Sequence, residues 1–418
     1  MIRDAEIETT IRLYSAPVFE AAGLDPSAVS VHLVNNNDLN AFVAGGQRIF
    51  VFTGLLLRVE TPNQLIGVLA HETGHISGGH LARTQDALRN ATTASIITFI
   101  LGAAAIAAGG GQAGGAIIAS GAAVGQRQFL SYSRTQEGAA DQAAMTFLDA
   151  TGQSGRGLAE FLDILGDQEA LLRSRQDPYA RSHPISRERI AALSDRIRNS
   201  PFRDQPDTPE NIIRLKRMQA KLYGFLKSKS RTFREYPLSD ESVPARYARA
   251  IAYYRVPDLD NALPEIDRLI AEAPDDPYFH ELKGQMLYEN GRIAESVPPN
   301  EAAVRLRPDS PLLRFGLARA LIATEDPAQN RAAIGHLEEV VRLDDEMPSA
   351  WAQLAIAYGR DGQLGLSALA SAEQFFLTGN KKDARQQAVR AQKRLPEGSP
   401  GWLRAVDIEN AAKKDKDK

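Results

Sequence analysis

A run of apolar residues, Leu65, Ile66, Val68 and Leu69, leads without a break into His71-Glu72-Thr73-Gly74-His75. No other stretch restricts the fold as much. On a helix, positions i and i+4 share a face, so His71 and His75 offer two imidazole nitrogens to one Zn2+ with Glu72 beside the metal. A zinc ion used for catalysis takes a third protein ligand and keeps one open position, where water loses a proton near neutral pH and Glu72 relays it. Another element must therefore carry that third ligand to a helix that is itself apolar. On these five residues alone, a purely structural use of the two histidines stands as the alternative.

The 418 residues contain no cysteine, so any zinc here rests on histidine and carboxylate, and disulfides and thiolate catalysis are excluded. A chain of this length exceeds one ordinary core, at about 150 residues per domain. A net charge of −3 with no long basic block gives no pull toward nucleic acid. Met1 to Glu6 are charged and lack the apolar core of a signal peptide.

Residues 4–23 have helical spacing (Ile7, Ile11, Leu13, Tyr14, Val18, Phe19) that ends at Gly23 and Pro26. Val29, Val31 and Leu33 alternate as a strand. Ala41-Phe42-Val43 and Ile49-Phe50-Val51-Phe52, split by Gly45-Gly46, read as a hairpin directly before the histidine helix. Such a hairpin either offers an edge strand to an extended peptide or simply packs on the helix. Residues 90–126 carry no charge until Arg127, and an Ala/Gly tract follows Ile96 to Leu101. Length permits a membrane span at 91–110, but the glycines are poor helix formers, which favours a membrane- or substrate-facing hairpin over a span. A buried pair of small-residue helices is the alternative.

Residues 131–150 form a polar helix, and Glu137 on it is the candidate third ligand, giving a His2Glu set. The longer H-E-x-x-H-x-x-G-x-x-H pattern has its glycine at Gly78 but needs histidine where Leu81 stands; His80 is one residue out of register. Asp141, four residues beyond Glu137, shares its face and suits an acceptor behind a ligand imidazole. A solvated acidic face is the other reading of both. His183 precedes Pro184 and so lies on a loop. Residues 201–209, with three prolines, read as a boundary, and a basic amphipathic helix (212–226) continues from it.

Beyond Pro244, Pro274-Asp-Asp-Pro277 recurs as Pro308-Asp-Ser-Pro311, a shift of 34 residues, the tetratricopeptide period. Trp351-x-x-Leu354-Ala355-x-x-Tyr358 fits the repeat signature and reads as packing inside a repeat. About four repeats are expected, the last ones degenerate. The domain reading is 1–200 catalytic, 201–243 linker and connecting helix, 244–410 repeats and 411–418 a disordered charged tail.

Together Asn40-Ala41-Phe42 with Gly45-Gly46, Thr53-Gly54-Leu55-Leu56, His71-Glu72-x-x-His75 with His80, Ser133-Arg134-x-x-Glu137-x-x-Ala140-Asp141, and His183-Pro184 with Arg189-Ile190 resemble the gluzincin metallopeptidases. This family includes the prenyl-protein endopeptidases and the HtpX heat-shock proteases, and the likeness is greatest to its periplasmic branch with a tetratricopeptide tail. The resemblance implies an α+β zincin-like metalloprotease domain followed by an all-α solenoid. It implies one zinc per chain on His71, His75 and Glu137, with Glu72 as general base and then proton donor. His183 matches a loop histidine that can take the fourth zinc position and hold the enzyme latent. Arg189 matches an arginine near the site, assigned to the negative tetrahedral intermediate with a structural ion pair as the alternative. Asn40, Ala41 and Phe42 would lie on the substrate-binding edge strand, and 90–126 would loop over the active-site face, in reach of a membrane surface. The implied role is periplasmic quality control of outer-membrane or other envelope proteins. Unfolded or stalled proteins would be the substrates, and the concave face of the solenoid would meet an assembly machine. Two other classes are a chaperone or adaptor with a closed structural zinc site, and an integral membrane protease.

Overall fold

The computed structural model describes residues 1–80, 134–171, 183 and 187–413. They fall into two compact units, Met1–Leu222 and Tyr223–Lys418. The uncharged segment 90–126 lies outside the described residues. Among those described, no helix is long and apolar enough to cross a membrane.

The first unit opens with α1 (Ala5–Ala21), whose start is fixed by Asp4 accepting from the Ile7 amide at 2.9 Å. Ile7, Ile11, Tyr14, Val18 and Phe19 form its buried stripe, whereas Leu13, expected with them, is exposed. Gly23, at φ 72°, takes the left-handed turn that ends it. Three strands follow, β1 (Ser30–Val34), β2 (Ala41–Ala44) and β3 (Arg48–Phe52), in the order β1-β3-β2. The expected hairpin is β2–β3, antiparallel, with Phe42 opposite Phe50. β1 adds to the other side of β3 in parallel, leaving β2 at an edge of the sheet. Leu33, Ala41, Ile49 and Val51 face the core. Short α2 (Thr53–Arg58) leads to α3 (Pro62–Ser77), the histidine helix.

Helix α3 starts where Thr61 accepts from the Gln64 amide and Pro62 occupies the first turn. It is apolar nearly all round, and Leu65, Val68, Leu69 and Ala70 are fully buried. Two glycines let neighbours press against it: a β-carbon on Gly67 would lie 2.8 Å from the Leu158 amide, and one on Gly74 would lie 2.8 Å from the Ala140 carbonyl oxygen. Those neighbours are α4, a helix over residues 134–150, and α5 (Arg156–Leu171), followed by α6 (Arg187–Arg198).

The first unit does not stop at residue 200. Helix α7 (Pro209–Leu226) buries Leu215, Met218 and Leu222, and Gln219 Nε2 donates to the carbonyls of Leu56 and Val59 at 3.0 and 2.7 Å. The buried Lys221 ammonium sits 2.8 Å from the Asp4 carboxylate. The amphipathic helix expected to serve as a connector therefore covers the first unit with its apolar face.

In the second unit α8 (Lys229–Glu235) precedes five helix pairs: α9 (Val243–Tyr254) with α10 (Leu259–Glu272), α11 (Pro277–Glu289) with α12 (Ile293–Leu306), α13 (Pro311–Ala323) with α14 (Pro327–Leu343), α15 (Pro348–Arg360) with α16 (Leu364–Leu377), and α17 (Lys381–Gln392) with α18 (Pro400–Lys413). Leu354 and Tyr358 are buried and the Tyr358 hydroxyl donates to Glu338 at 2.7 Å, so the Trp-Leu-Ala-Tyr box is packing. Two expectations are corrected. The pairs number five rather than four, and residues 411–413, read as disordered tail, close α18 with Ala412 buried.

Candidate metal centre

Helical geometry presents His71 and His75 on one face of α3, and Gly74 between them admits the backbone of α4 at Ala140. Glu137 and Asp141 flank that contact on α4, one turn apart, so both carboxylates point at the two histidines. His183 approaches from the segment after α5. The result is a cluster of four metal-capable groups, His71, His75, Glu137 and His183, of which all but the partly exposed His75 are buried.

The spacing of the donor atoms is specific. His71 Nε2 lies 3.1 Å from His75 Nε2, 3.3 Å from Glu137 Oε2 and 3.3 Å from His183 Nδ1. His75 Nε2 lies 3.3 Å from Glu137 Oε1, and His183 Nδ1 lies 3.2 Å from each Glu137 oxygen. Ligands at about 2.0 Å from a central ion in tetrahedral array stand roughly 3.3 Å apart. These five edges match. His71 Nδ1 lies 2.9 Å from Asp141 Oδ1, an arrangement that with a metal bound would keep the proton on Nδ1 and leave the Nε2 lone pair to the ion.

Charge gives the same answer. Glu72, Glu137 and Asp141 are at most 3 % exposed, and Arg189 is the buried guanidinium among them. Among the described residues three buried carboxylates face one arginine, and a divalent cation held between them would offset negative charge that burial penalises. Burial alone would raise the Glu137 carboxyl; the imidazoles of His183, His71 and His75 outweigh it and hold the group far below the usual carboxylate range. Burial also opposes a charged His71, yet Asp141 and Glu137 push it up to about 10. His75, for which burial prevails, falls to about 4. Glu72 goes up, chiefly through burial, against the pull of His183 and His71. Its two oxygens lack a hydrogen-bond partner among the described residues, and His183 Nε2 is 3.4 Å away.

Arg189 on α6 spends its guanidinium on the carboxylates: Nε and Nη2 donate to Asp141 at 2.7 and 2.9 Å, and Nη1 lies 2.9 Å from Glu137 Oε2. This is the ion-pair alternative to the role expected from the sequence. Asn40, Ala41 and Phe42 are at the sheet edge rather than in the cluster. The Asn40 carbonyl accepts from the Phe52 amide at 2.9 Å, and Phe42 stacks on Phe50 with ring centres 5.0 Å apart. Sequence reasoning gave His80 no role, yet its Nδ1 is 3.0 Å from His75 Nδ1.

Two histidines one helical turn apart, a glutamate from a second helix and a buried carboxylate beside them define a metallopeptidase of the His2Glu class. Residues 3–197 match Peptidase family M48, and residues 247–311 match a tetratricopeptide repeat. Curated relatives agree along most of the chain. The beta-barrel assembly-enhancing protease of Yersinia pestis is 24% identical over 84% of this chain and 72% of its own length. The protein of that name from Escherichia coli K12 is 25% identical over the same shares, 84% and 72%. Metalloprotease YcaL of Escherichia coli K12 is 29% identical over 44% of this chain and 68% of its own.

Proposed function

We propose that the chain is a zinc-dependent endopeptidase of envelope protein quality control, with His71, His75 and Glu137 as ligands and His183 as a latch. The observation that carries the reading is the 3.1–3.3 Å spacing of imidazole and carboxylate donors, which suits zinc in a nitrogen and oxygen tetrahedron. Zinc held there supplies Lewis acidity toward a peptide carbonyl and toward a water molecule. Glu72, buried and without a hydrogen-bond partner among the described residues, takes a proton from the attacking water on one carboxylate oxygen and returns it to the leaving amine. Burial raises its proton affinity, against the pull of His183 and His71. Asp141 fixes the tautomer and orientation of His71, and Arg189 holds Asp141 and Glu137 in place. An extended substrate would pair with the β2 edge at Asn40 to Phe42.

His183 fills the position that catalysis needs open, so an active form requires the segment bearing it to move, and substrate or a partner supplies the difference in binding energy. The relatives named beta-barrel assembly-enhancing protease support outer-membrane clients, a periplasmic location and an assembly partner on the tetratricopeptide unit. Peripheral membrane contact through 90–126 belongs to the same proposal.

A second reading, a chaperone or adaptor with a structural zinc, is favoured by one observation: four groups able to bind a metal, rather than three, surround one position. Glu72→Gln separates them. With zinc still bound, it should abolish degradation of an unfolded outer-membrane protein, by 10²-fold or more on the order expected for a lost general base; unchanged degradation would sink the peptidase reading.

A further inference from the structure

We propose that His80 is a positioning residue for the candidate metal centre, the acceptor that fixes His75, and that Gly78 and Gly79 are there to seat it. The inference rests on the metal-site reading above. His71 has Asp141 behind it; among the described residues the group behind His75 is His80, Nδ1 to Nδ1 at 3.0 Å. A His75 that presents Nε2 to a metal carries its proton on Nδ1, so His75 donates and His80 accepts, its own proton on Nε2. His80 is 6 % exposed and its ring stands at right angles to His75, with centroids 5.0 Å apart.

The chain before His80 is shaped for this. Gly79, at φ 61°, adopts the left-handed conformation that turns the chain back over the end of α3. Gly78 needs no such freedom: at φ −72° and ψ −11° its backbone suits any residue. What it lacks is room, because a β-carbon there would lie 2.7 Å from His80 Cδ2, inside the imidazole. The glycine without a backbone reason is the one under the ring. In the register expected from the sequence, His80 missed the ligand position by one residue; the same offset points it at the far nitrogen of His75.

The test is zinc affinity of the full-length chain by chelator competition, with the visible spectrum of the cobalt(II) form as a second readout of ligand geometry. His80→Phe keeps the ring and removes the acceptor, and should weaken zinc about 10-fold or more, in the range typical of residues behind a metal ligand. His80→Asn, whose Oδ1 stands where Nδ1 was, should restore most of the affinity and the wild-type cobalt spectrum. Gly78→Ala should act like His80→Phe and add nothing in a His80→Phe background. Circular dichroism of the metal-free variants separates misfolding from site effects. If His80→Phe binds zinc as wild type does, or His80→Asn falls with it, the inference is overturned. A wild-type chain that binds no zinc would instead overturn the metal-site reading itself.

Discussion

Arg189 makes three contacts from one planar group, two to Asp141 and one to Glu137, and neither lysine nor an apolar residue reproduces that fork. Arg189→Met leaves two buried carboxylates without their cation, an arrangement that costs about 3–5 kcal/mol when a buried pair is broken. The expected outcome is a large drop in the unfolding midpoint of the metal-free protein, partly recovered by zinc; an unchanged midpoint would remove Arg189 from the framework of the site. His183 makes the opposite prediction. If it latches the site, His183→Ala should raise basal proteolysis of an unfolded client while zinc stays bound, and equal or lower activity would end the latch idea. At this scale the sequence was legible where spacing within one helix decides the matter. His71 with His75 and Glu137 with Asp141 are pairs at i and i+4, and both pairs converge. Arg189 and His183 were not legible that way, because a spacing along the chain says nothing of which atom a residue from another element meets. For Arg189 the sequence left open the tetrahedral intermediate and a structural ion pair, and only the fold brings it onto Asp141 and Glu137.

Helix α3 is positioned by what it lacks at two places. Gly67 admits the start of α5 at Leu158, and Gly74 admits α4 at Ala140, each at a distance no β-carbon tolerates. Alanine at either site forces backbone apart, at about 1–3 kcal/mol for an overpacked core. The two differ in what moves. Gly74 lies between the histidines and opposite the residue between Glu137 and Asp141, so Gly74→Ala should also lower zinc affinity, whereas Gly67→Ala should cost stability with affinity nearly kept. Chelator competition on both variants reads the difference, and equal affinities would mean that the α3–α4 contact does not set the ligand distances. The sequence announced α3 through its apolar run and the two histidines. It did not announce the sheet order, since β1 pairs in parallel with β3 across an intervening strand, and alternation names a strand's faces but not its neighbour. The fifth helix pair escaped notice for a compositional reason. Its core is largely alanine, Ala384, Ala388, Ala391 and Ala405, with Ile408, and small side chains give a weak periodic signal.

At the scale of the whole chain, the metal donors all belong to the first unit, and the second builds separate cores such as the one around Tyr247, Ile251, Ile266 and Phe279. A helical-repeat array draws its stability from contacts between neighbouring repeats. Zinc binding stabilises only the structure that holds its ligands, by about 4 kcal/mol when free metal is a thousand times its dissociation constant. For a unit of about 200 residues, that moves a melting temperature by roughly 10 °C. Calorimetry of the full-length chain should therefore resolve a transition that falls on chelation and returns with added zinc, beside another that holds its temperature. The 34-residue recurrence made the second unit legible and the histidine helix made the first, but the boundary was displaced by the amphipathic α7. Its apolar side reads the same whether it joins two domains or covers one. The buried Lys221 beside Asp4 decides for covering, since a charge enters a core only where its partner already waits. A chelation-sensitive transition should accordingly include α7 as far as Leu222. In hydrogen exchange, the amides around Leu215 and Met218 should lose protection together with those of α3 when zinc is removed. If they keep it while α3 opens, α7 does not unfold with the metal-binding unit.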